Sequence, residues 1–341
     1  MWLDGHLDLS YIADHGRDLR LAPEACGGTL QPAGVTFPSL RAGDVRAAVA
    51  TIFVRRRRNV AADDGPWSFD TPEEAHAAVL RQLAMYRQWQ AEGWLRIGSV
   101  EAPSANALGV VLALEGAEGL RSPADLAALA KAGVRMVSLA WAEGSRYAGG
   151  DQSGGDVTPA GRELIAEMDG LGVLHDVSHL SERAFWTLLS EARGPVVASH
   201  SNCRALLPGR KHPERHLSDD QIRALAAHRG GSGGAVIGIN LFGRFLVPDA
   251  QHAGSGVRAT LADVVQHVEH VTQIAGRRDC VALGSDADSG FGSILMPTGL
   301  ERPEHWRRIA DALSTAGWSD QAVDGFTHKN WLRALAAGAS S

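Results

Sequence analysis

The chain has 341 residues, 45% of them hydrophobic and 21% charged, which is enough apolar material for one large core. A net charge of −6 gives no footing for nucleic acid or an anionic membrane. Three widely spaced cysteines, Cys26, Cys203 and Cys280, imply no disulfide framework, and Cys203 reads as a buried small hydrophobe. The start, Met1-Trp2-Leu3-Asp4, has neither a basic region nor an apolar run, and Ala336 to Ser341 is too short and polar for a lipid anchor. The expectation is a soluble, cytoplasmic protein without nucleic-acid or membrane partners.

Eight short apolar runs follow one another along the chain. They are Trp2–Asp8, Val45–Val54, Gly109–Glu115, Val134–Trp141, Val173–His179, Val196–His200, Ala235–Phe242 and Val281–Asp286. Several are continuous in Val, Ile, Leu and Ala rather than alternating, the pattern of a parallel strand covered on both faces. Helical patterns with start signals lie between them. Thr71-Pro72-Glu73-Glu74 precedes Ala75 to Trp89, Ser122-Pro123 precedes Ala124 to Ala132, and Thr158-Pro159 precedes Ala160 to Leu171. Ser181-Glu182 opens Arg183 to Ala192, and Ser218-Asp219-Asp220 opens Gln221 to His228. Strand and helix alternating eight times predict an α/β fold, a (β/α)₈ TIM barrel, with residues 1–341 as a single catalytic domain. An open doubly wound sheet is the competitor, but no G-x-G-x-x-G follows the first strand. Gly230–Gly234 and Gln251–Gly256 read as surface loops.

The polar residues sit at the carboxyl ends of these runs: His6 and Asp8, Glu115, His179, His200 and Asp286. That edge of a barrel is where active sites form. Alternation puts His6 and Asp8 on one face, Glu115 above Ala113, His200 above Ala198, and Asp286 above Gly284 and Ala282, so small residues lie beneath large ones. A lone histidine at a strand end is usually structural, and the chain has 14 of them. Six such residues on five strand ends are not scattered as chance would scatter them. Imidazole mixed with carboxylate suits Zn²⁺ or a similar metal. Three histidines with an aspartate and a glutamate are too few for two closed sites, but suffice for two metals ~3.5–4 Å apart that share the glutamate.

Asp4-Gly5-His6-Leu7-Asp8, Leu114-Glu115-Gly116, Asp176-Val177-Ser178-His179-Leu180-Ser181, Ser199-His200-Ser201-Asn202 and Gly284-Ser285-Asp286 form an ordered set. Thr158-Pro159-Ala160-Gly161-Arg162, Leu217-Ser218-Asp219-Asp220-Gln221-Ile222-Arg223 and Lys329-Asn330-Trp331-Leu332-Arg333 extend it, so that it runs from residue 4 to about 335. This set resembles the membrane (renal-type) dipeptidase family, which are amidohydrolase-type barrels with two zinc ions. The resemblance implies a zinc-dependent dipeptidase that splits the amide of dipeptide-like small molecules with metal-activated water. It implies two Zn²⁺ per chain, His6 and Asp8 on one, His179 and His200 on the other, and Glu115 bridging. It further implies that Asp286 transfers the proton and that Arg215 holds the substrate's terminal carboxylate; a homodimer is compatible with it.

Two positions depart from the family. Trp141 stands where its best-known members have a histidine near the scissile carbonyl, and Phe242 stands where a tyrosine often assists Arg215. An indole donates one N–H but relays no proton. Both changes bear on the substrate, and they motivate an alternative: a metal-dependent amidase or lactonase with a specialised small substrate. Arg55-Arg56-Arg57-Arg58 reads as a solvated loop, or as a positive rim that draws in an anionic substrate. Asp288 reads as a supporting or loop-capping group, and His175 and Asp176 as residues that could orient a ligand.

Overall fold

The computed structural model describes residues 1–57, 64–98, 100, 106–228, 234–248 and 256–338. Every one of the eight apolar runs contains a strand: β1 (Trp2–Leu7), β2 (Val45–Phe53), β3 (Leu108–Glu115), β4 (Val134–Ser138), β5 (Leu174–Asp176), β6 (Val196–Val197), β7 (Ile237–Ile239) and β8 (Val281–Leu283). The first six pair side by side in chain order, and β7 pairs with β8, all in parallel. A parallel bridge from Ala198 to Ile237 joins the two groups. The Asp286 N–H donates to the His6 carbonyl at 3.2 Å, linking the end of β8 back to β1. Both Asp4 oxygens reinforce that seam by accepting from the Ser285 N–H and hydroxyl. The curled parallel sheet with helices around it is the TIM-barrel type expected from the alternation.

The register of β2 on β3 runs from Ala47 opposite Gly109 to Phe53 opposite Glu115, so Glu115 ends its strand on the carboxyl-end rim. Leu3, Ala47, Val49, Val111, Ala113, Met136, Leu174, Val197, Val236 and Ala282 form one buried cluster, with Trp331 packed among them. This is a filled barrel interior, not a pore. Val111, Ala113 and Glu115 are alternate residues of one strand, so the carboxylate stands over the small Ala113. A much larger cluster, including Leu7, Ile12, Val110, Leu112, Leu164, Phe185, Ile222, Val268 and Ile309, packs the outer face of the strands against the helices.

The expected start signals are used as hydrogen bonds. Helix α1 (Leu9–Asp14) begins directly after Asp8, and α2 is Phe37–Ala42. The Thr71 hydroxyl accepts from the Glu74 N–H in a capping box at the start of α3 (Pro72–Ala91). Thr158 caps α5 (Pro159–Leu171), Ser181 caps α6 (Glu182–Glu191), and Ser218 with Gln221 makes a capping box on α7 (Asp219–Ala227). Helix α4 (Leu126–Lys131) departs from the pattern: Ser122-Pro123 opens a 3₁₀ turn over Pro123–Asp125, and the Ser122 side chain makes no capping bond. Helix α8 is Leu261–Ala275, and α9, α10 and α11 are Arg307–Thr315, Asp320–Asp324 and Asn330–Gly338. Among the described residues no helix is long and apolar enough to cross a membrane. Most of the two surface loops read from glycine content, and Arg58, lie outside the described residues.

Candidate metal centre

Glu115 Oε1 is the hub of the carboxyl-end rim. It lies 3.8 Å from His6 Nε2, 3.2 Å from His179 Nε2 and 3.4 Å from His200 Nε2. Asp8 Oδ1 is 3.6 Å and Asp286 Oδ1 is 4.0 Å from the same His6 nitrogen. The structure thus brings together all six residues singled out on the strand ends. His6 with Asp8 and Glu115, and His179 with His200 and Glu115, are two groups whose donor atoms lie close enough to hold a metal ion, with Glu115 common to both.

Strand alternation aims only part of this set. His6 and Glu115 belong to β1 and β3, but His179, His200, Asp286 and Trp141 lie beyond the last paired residues of their strands. Their direction is set by loop conformation: His179 and Asp286 have φ of 68° and 53°, in the left-handed region that non-glycine residues seldom occupy. Strain of this kind persists where surrounding structure over-determines it, as at a ligand site.

The partners behind the imidazoles fix which nitrogen faces the centre. His179 Nδ1 lies 2.9 Å from Asp151 Oδ2, so Nδ1 carries the proton and Nε2 presents its lone pair. The Ser199 hydroxyl donates to Asp176 Oδ2 at 2.5 Å and lies 2.6 Å from His200 Nδ1, which commits that nitrogen as a donor too. Two Nε2 lone pairs therefore face each other at 3.1 Å, and both face a carboxylate oxygen. Lone pair against lone pair is repulsive, and a cation between them resolves it. His6 Nε2 is buried with no hydrogen-bond partner, as a nitrogen awaiting a ligand would be. The chemistry of the donors therefore fits divalent metal.

The charge distribution points the same way. Burial works against a charged His6, but Glu115 and Asp8 overcome it and lift the imidazole to about 10. Burial raises Asp286 to about 7; His6 opposes that rise, while Asp8 and Glu115 reinforce it. Burial, with the nearby positive charges of His6 and Arg215, holds His200 well below the ordinary imidazole range. Asp286 keeps one oxygen fixed by the Asn240 amide N–H at 2.8 Å, and its side chain retains 13% exposure.

The remaining positions form the walls. Trp141 is half-buried, with its ring 5.8 Å from that of His179 and 5.2 Å from that of Phe53. Arg215 is buried; its guanidinium donates to the His200 carbonyl at 2.9 Å and to the Ser201 hydroxyl at 3.3 Å, and lies over Phe245. Phe242 stacks on Phe291 at 4.2 Å. Asp288 is a loop cap: it pairs with Arg17 and accepts from the Gly34 and Val35 N–H groups. His175 faces Asp169 on the helix side, while Asp176 backs His200 through Ser199. Arg56 and Arg57 are exposed and already paired, with Glu118 and with Asp64 and Asp70.

Sequence reasoning missed Asp151, Thr51 and Asn240. The Thr51 hydroxyl bonds Asp8 Oδ1, and Asn240 is itself held by Asn202. Thr51 and Asn240 sit within predicted strand runs, and Asp151 sits in a glycine-rich loop, Ala148-Gly149-Gly150-Asp151, where a lone acid carries no periodic signal.

Residues 1–340 match the family described as membrane dipeptidase, peptidase family M19. An uncharacterised protein in the pqqA 5' region of Klebsiella pneumoniae is 32% identical over 268 residues, covering 76% of this chain and 93% of that one. Dipeptidase tcpJ of Claviceps purpurea is 32% identical over 235 residues, 67% of this chain and 51% of its own length. Among solved structures, a metallopeptidase from Rhodobacter sphaeroides, liganded with a phosphinate mimic of the dipeptide L-Ala-D-Ala, superposes with a TM-score of 0.80 at 23% identity and covers 99% of both chains. The rim geometry and the match over the full barrel lead to one conclusion: the chain belongs to the membrane dipeptidase family, peptidase family M19, and is a metallopeptidase of that family.

Proposed function

We propose that the chain is a binuclear zinc dipeptidase acting as one catalytic unit over residues 1–341. The observation that carries this reading is the position of Glu115 Oε1, within 3.2–3.8 Å of three imidazole nitrogens, with Asp286 on the more open side. His6 and Asp8 would hold one ion, His179 and His200 the other, and Glu115 both. When bound, such ions supply Lewis acidity, which acidifies water and polarises a carbonyl.

The chain's own residues do the rest. Asp286 takes the proton of the attacking water and returns it to the departing amine, with Asn240 holding the oxygen that does not transfer it. Arg215 supplies a fixed positive charge for the terminal carboxylate of a short substrate; its Nε is buried and bonds no group among the described residues. Trp141 lines the centre beside His179 and narrows the space next to the scissile bond. The dipeptide mimic held by the Rhodobacter sphaeroides relative supports the substrate class. The half-buried indole at 141 favours one competing reading, a specialised amidase or lactonase.

The test is release of free amino acid from L-Ala-D-Ala and L-Ala-L-Ala by the zinc-loaded chain, with simple lactones alongside. Dipeptide turnover is expected to dominate, and Asp286→Asn is expected to lower kcat by about 10²–10⁴-fold, the usual worth of general acid–base catalysis, at unchanged metal content. Lactone turnover exceeding dipeptide turnover would transfer the reading to its competitor.

A further inference from the structure

Beside the proposed metal centre, three arginines crowd around two aromatic rings, and among the described residues no acid forms an ion pair with any of them. The Arg210 and Arg215 guanidinium carbons lie 4.9 Å and 5.0 Å from the Phe245 ring centre, and that of Arg244 lies 5.9 Å from Phe242. The two rings are themselves in contact, with centroids 4.9 Å apart. Arg210 is half-buried and donates to the Arg244 carbonyl, a neutral acceptor, and the bonds of Arg215 go to the His200 carbonyl and the Ser201 hydroxyl, also neutral. Among the described residues none of the three forms an ion pair, and the Nε atoms of Arg215 and Arg244 are buried without a hydrogen-bond partner. His216 packs edge-on against Phe245 at 5.0 Å, and burial, with the charges of Arg215 and Arg210, holds it well below the ordinary imidazole range. It therefore adds no charge.

The described acids nearby bond other groups: one oxygen of Asp151, whose charge reaches Arg210, lies at His179 Nδ1 while the other is buried without a partner, Asp286 accepts from Asn240, and Glu214 accepts from the Glu182 N–H. Burial and the proximity of Arg215 push the Arg210 guanidinium down to about 10. Several exposed arginines elsewhere are paired, Arg20 with Asp18, Arg121 with Asp125 and Arg223 with Asp220, while Arg41 and Arg308, like Arg210 and Arg215, bond carbonyls. Partly buried cations with unfilled donors are costly unless an anion joins them.

We infer that Arg210, with Arg244 beside it, forms an anion subsite for a second carboxylate, so that the preferred substrates are dipeptides whose C-terminal residue carries an acidic side chain. This rests on the dipeptidase reading, in which Arg215 takes the main-chain carboxylate. A terminal aspartate or glutamate offers two carboxylates a few bonds apart, to be shared between guanidinium groups gathered on one aromatic pair. An amide side chain of the same shape offers no charge.

The experiment compares Ala-Glu with Ala-Gln on the zinc-loaded chain, each with L and D C-terminal residues, by turnover and by calorimetric binding at low temperature. A charge-assisted hydrogen bond is worth about 10- to 100-fold, so the Ala-Glu to Ala-Gln ratio of kcat/KM, and of affinity, is expected in that range. Arg210→Gln and, separately, Arg244→Gln should each move the ratio towards one, and Arg210→Lys should retain most of it. A ratio near one in the unaltered chain, with both peptides hydrolysed, overturns the subsite and leaves the dipeptidase reading standing. An affinity ratio in the expected range without any hydrolysis supports the subsite and removes the dipeptidase reading. A high ratio unmoved in all folded Arg210 and Arg244 variants also overturns the assignment.

Discussion

Asp151 illustrates how much of the proposed metal centre lies behind its candidate ligands. Its carboxylate bonds His179 Nδ1, and that bond decides that Nε2 is the nitrogen facing Glu115 and His200. Partners of this kind are typically worth 10–100-fold in metal affinity. Asp151→Ala is therefore expected to weaken metal binding by about that factor, measured by competition with a chelating dye, while the circular dichroism spectrum stays that of the folded barrel. Unchanged affinity would show that the tautomer of His179 is set by something else. The proposed ligands were legible because each sits at the end of an apolar run. Asp151 was not, because the contact spans 28 residues and its loop has no repeating pattern.

Among the elements, α8 has a task beyond packing. His267 on this helix accepts the Cys203 N–H at Nδ1 and presents Nε2 to the Leu246 carbonyl, at 3.1 Å each, tying the loops after β6 and β7 to one helix. Burial lowers its imidazole to about 4, against the backbone bond that opposes the change. The folded value lies below the ordinary 6.5, so on acidification the unfolded chain takes up a proton first. The stability of the neutral form is whole above about pH 6.5 and is lost between there and pH 4, a span worth about 3 kcal/mol. His267→Gln, which can keep both bonds, is expected to flatten the pH dependence of denaturant midpoints across that window. An identical slope in both proteins would mean that other groups govern the acid limb. The helices themselves were legible from their caps, Thr71, Thr158, Ser181 and Ser218. The 3₁₀ turn before α4 was not, because Asp125 reaches back to the Arg121 N–H and the Ser122 cap goes unused. Strand parity placed Glu115 correctly, but Asp286 and His179 depend on left-handed backbone that alternation does not describe.

At the scale of the whole molecule, the fold was legible as strand–helix alternation repeated eight times; how the last strands close onto the rest was not. A Cβ on Gly284 would meet the Ser199 carbonyl oxygen at 1.8 Å, and one on Gly238 would meet it at 1.9 Å. Two adjacent glycines of β7 and the end of β8 thus let three backbones converge beneath His200. Overpacking costs typically 1–3 kcal/mol, more where the obstacle is backbone. Gly284→Ala is expected to lower the melting temperature and metal content together, because the displaced Ser199 is the bond partner of His200 Nδ1. Gly170→Ala near the end of α5, where the added carbon meets nothing within 4 Å, should leave both unchanged or raise the melting temperature slightly. A Gly284→Ala protein as stable and as metal-rich as the parent would refute the close-packed seam. The seam matters because it brings His200, from the sixth strand end, to the same carboxylate that His6 and His179 reach from the first and fifth. The measurement that bears most directly on the shared carboxylate is metal content by elemental analysis, set beside activity, for the parent chain and for His179→Ala. Two divalent ions per fully active chain, falling by at least one in a folded His179→Ala, is the predicted result; one ion per fully active chain would contradict it.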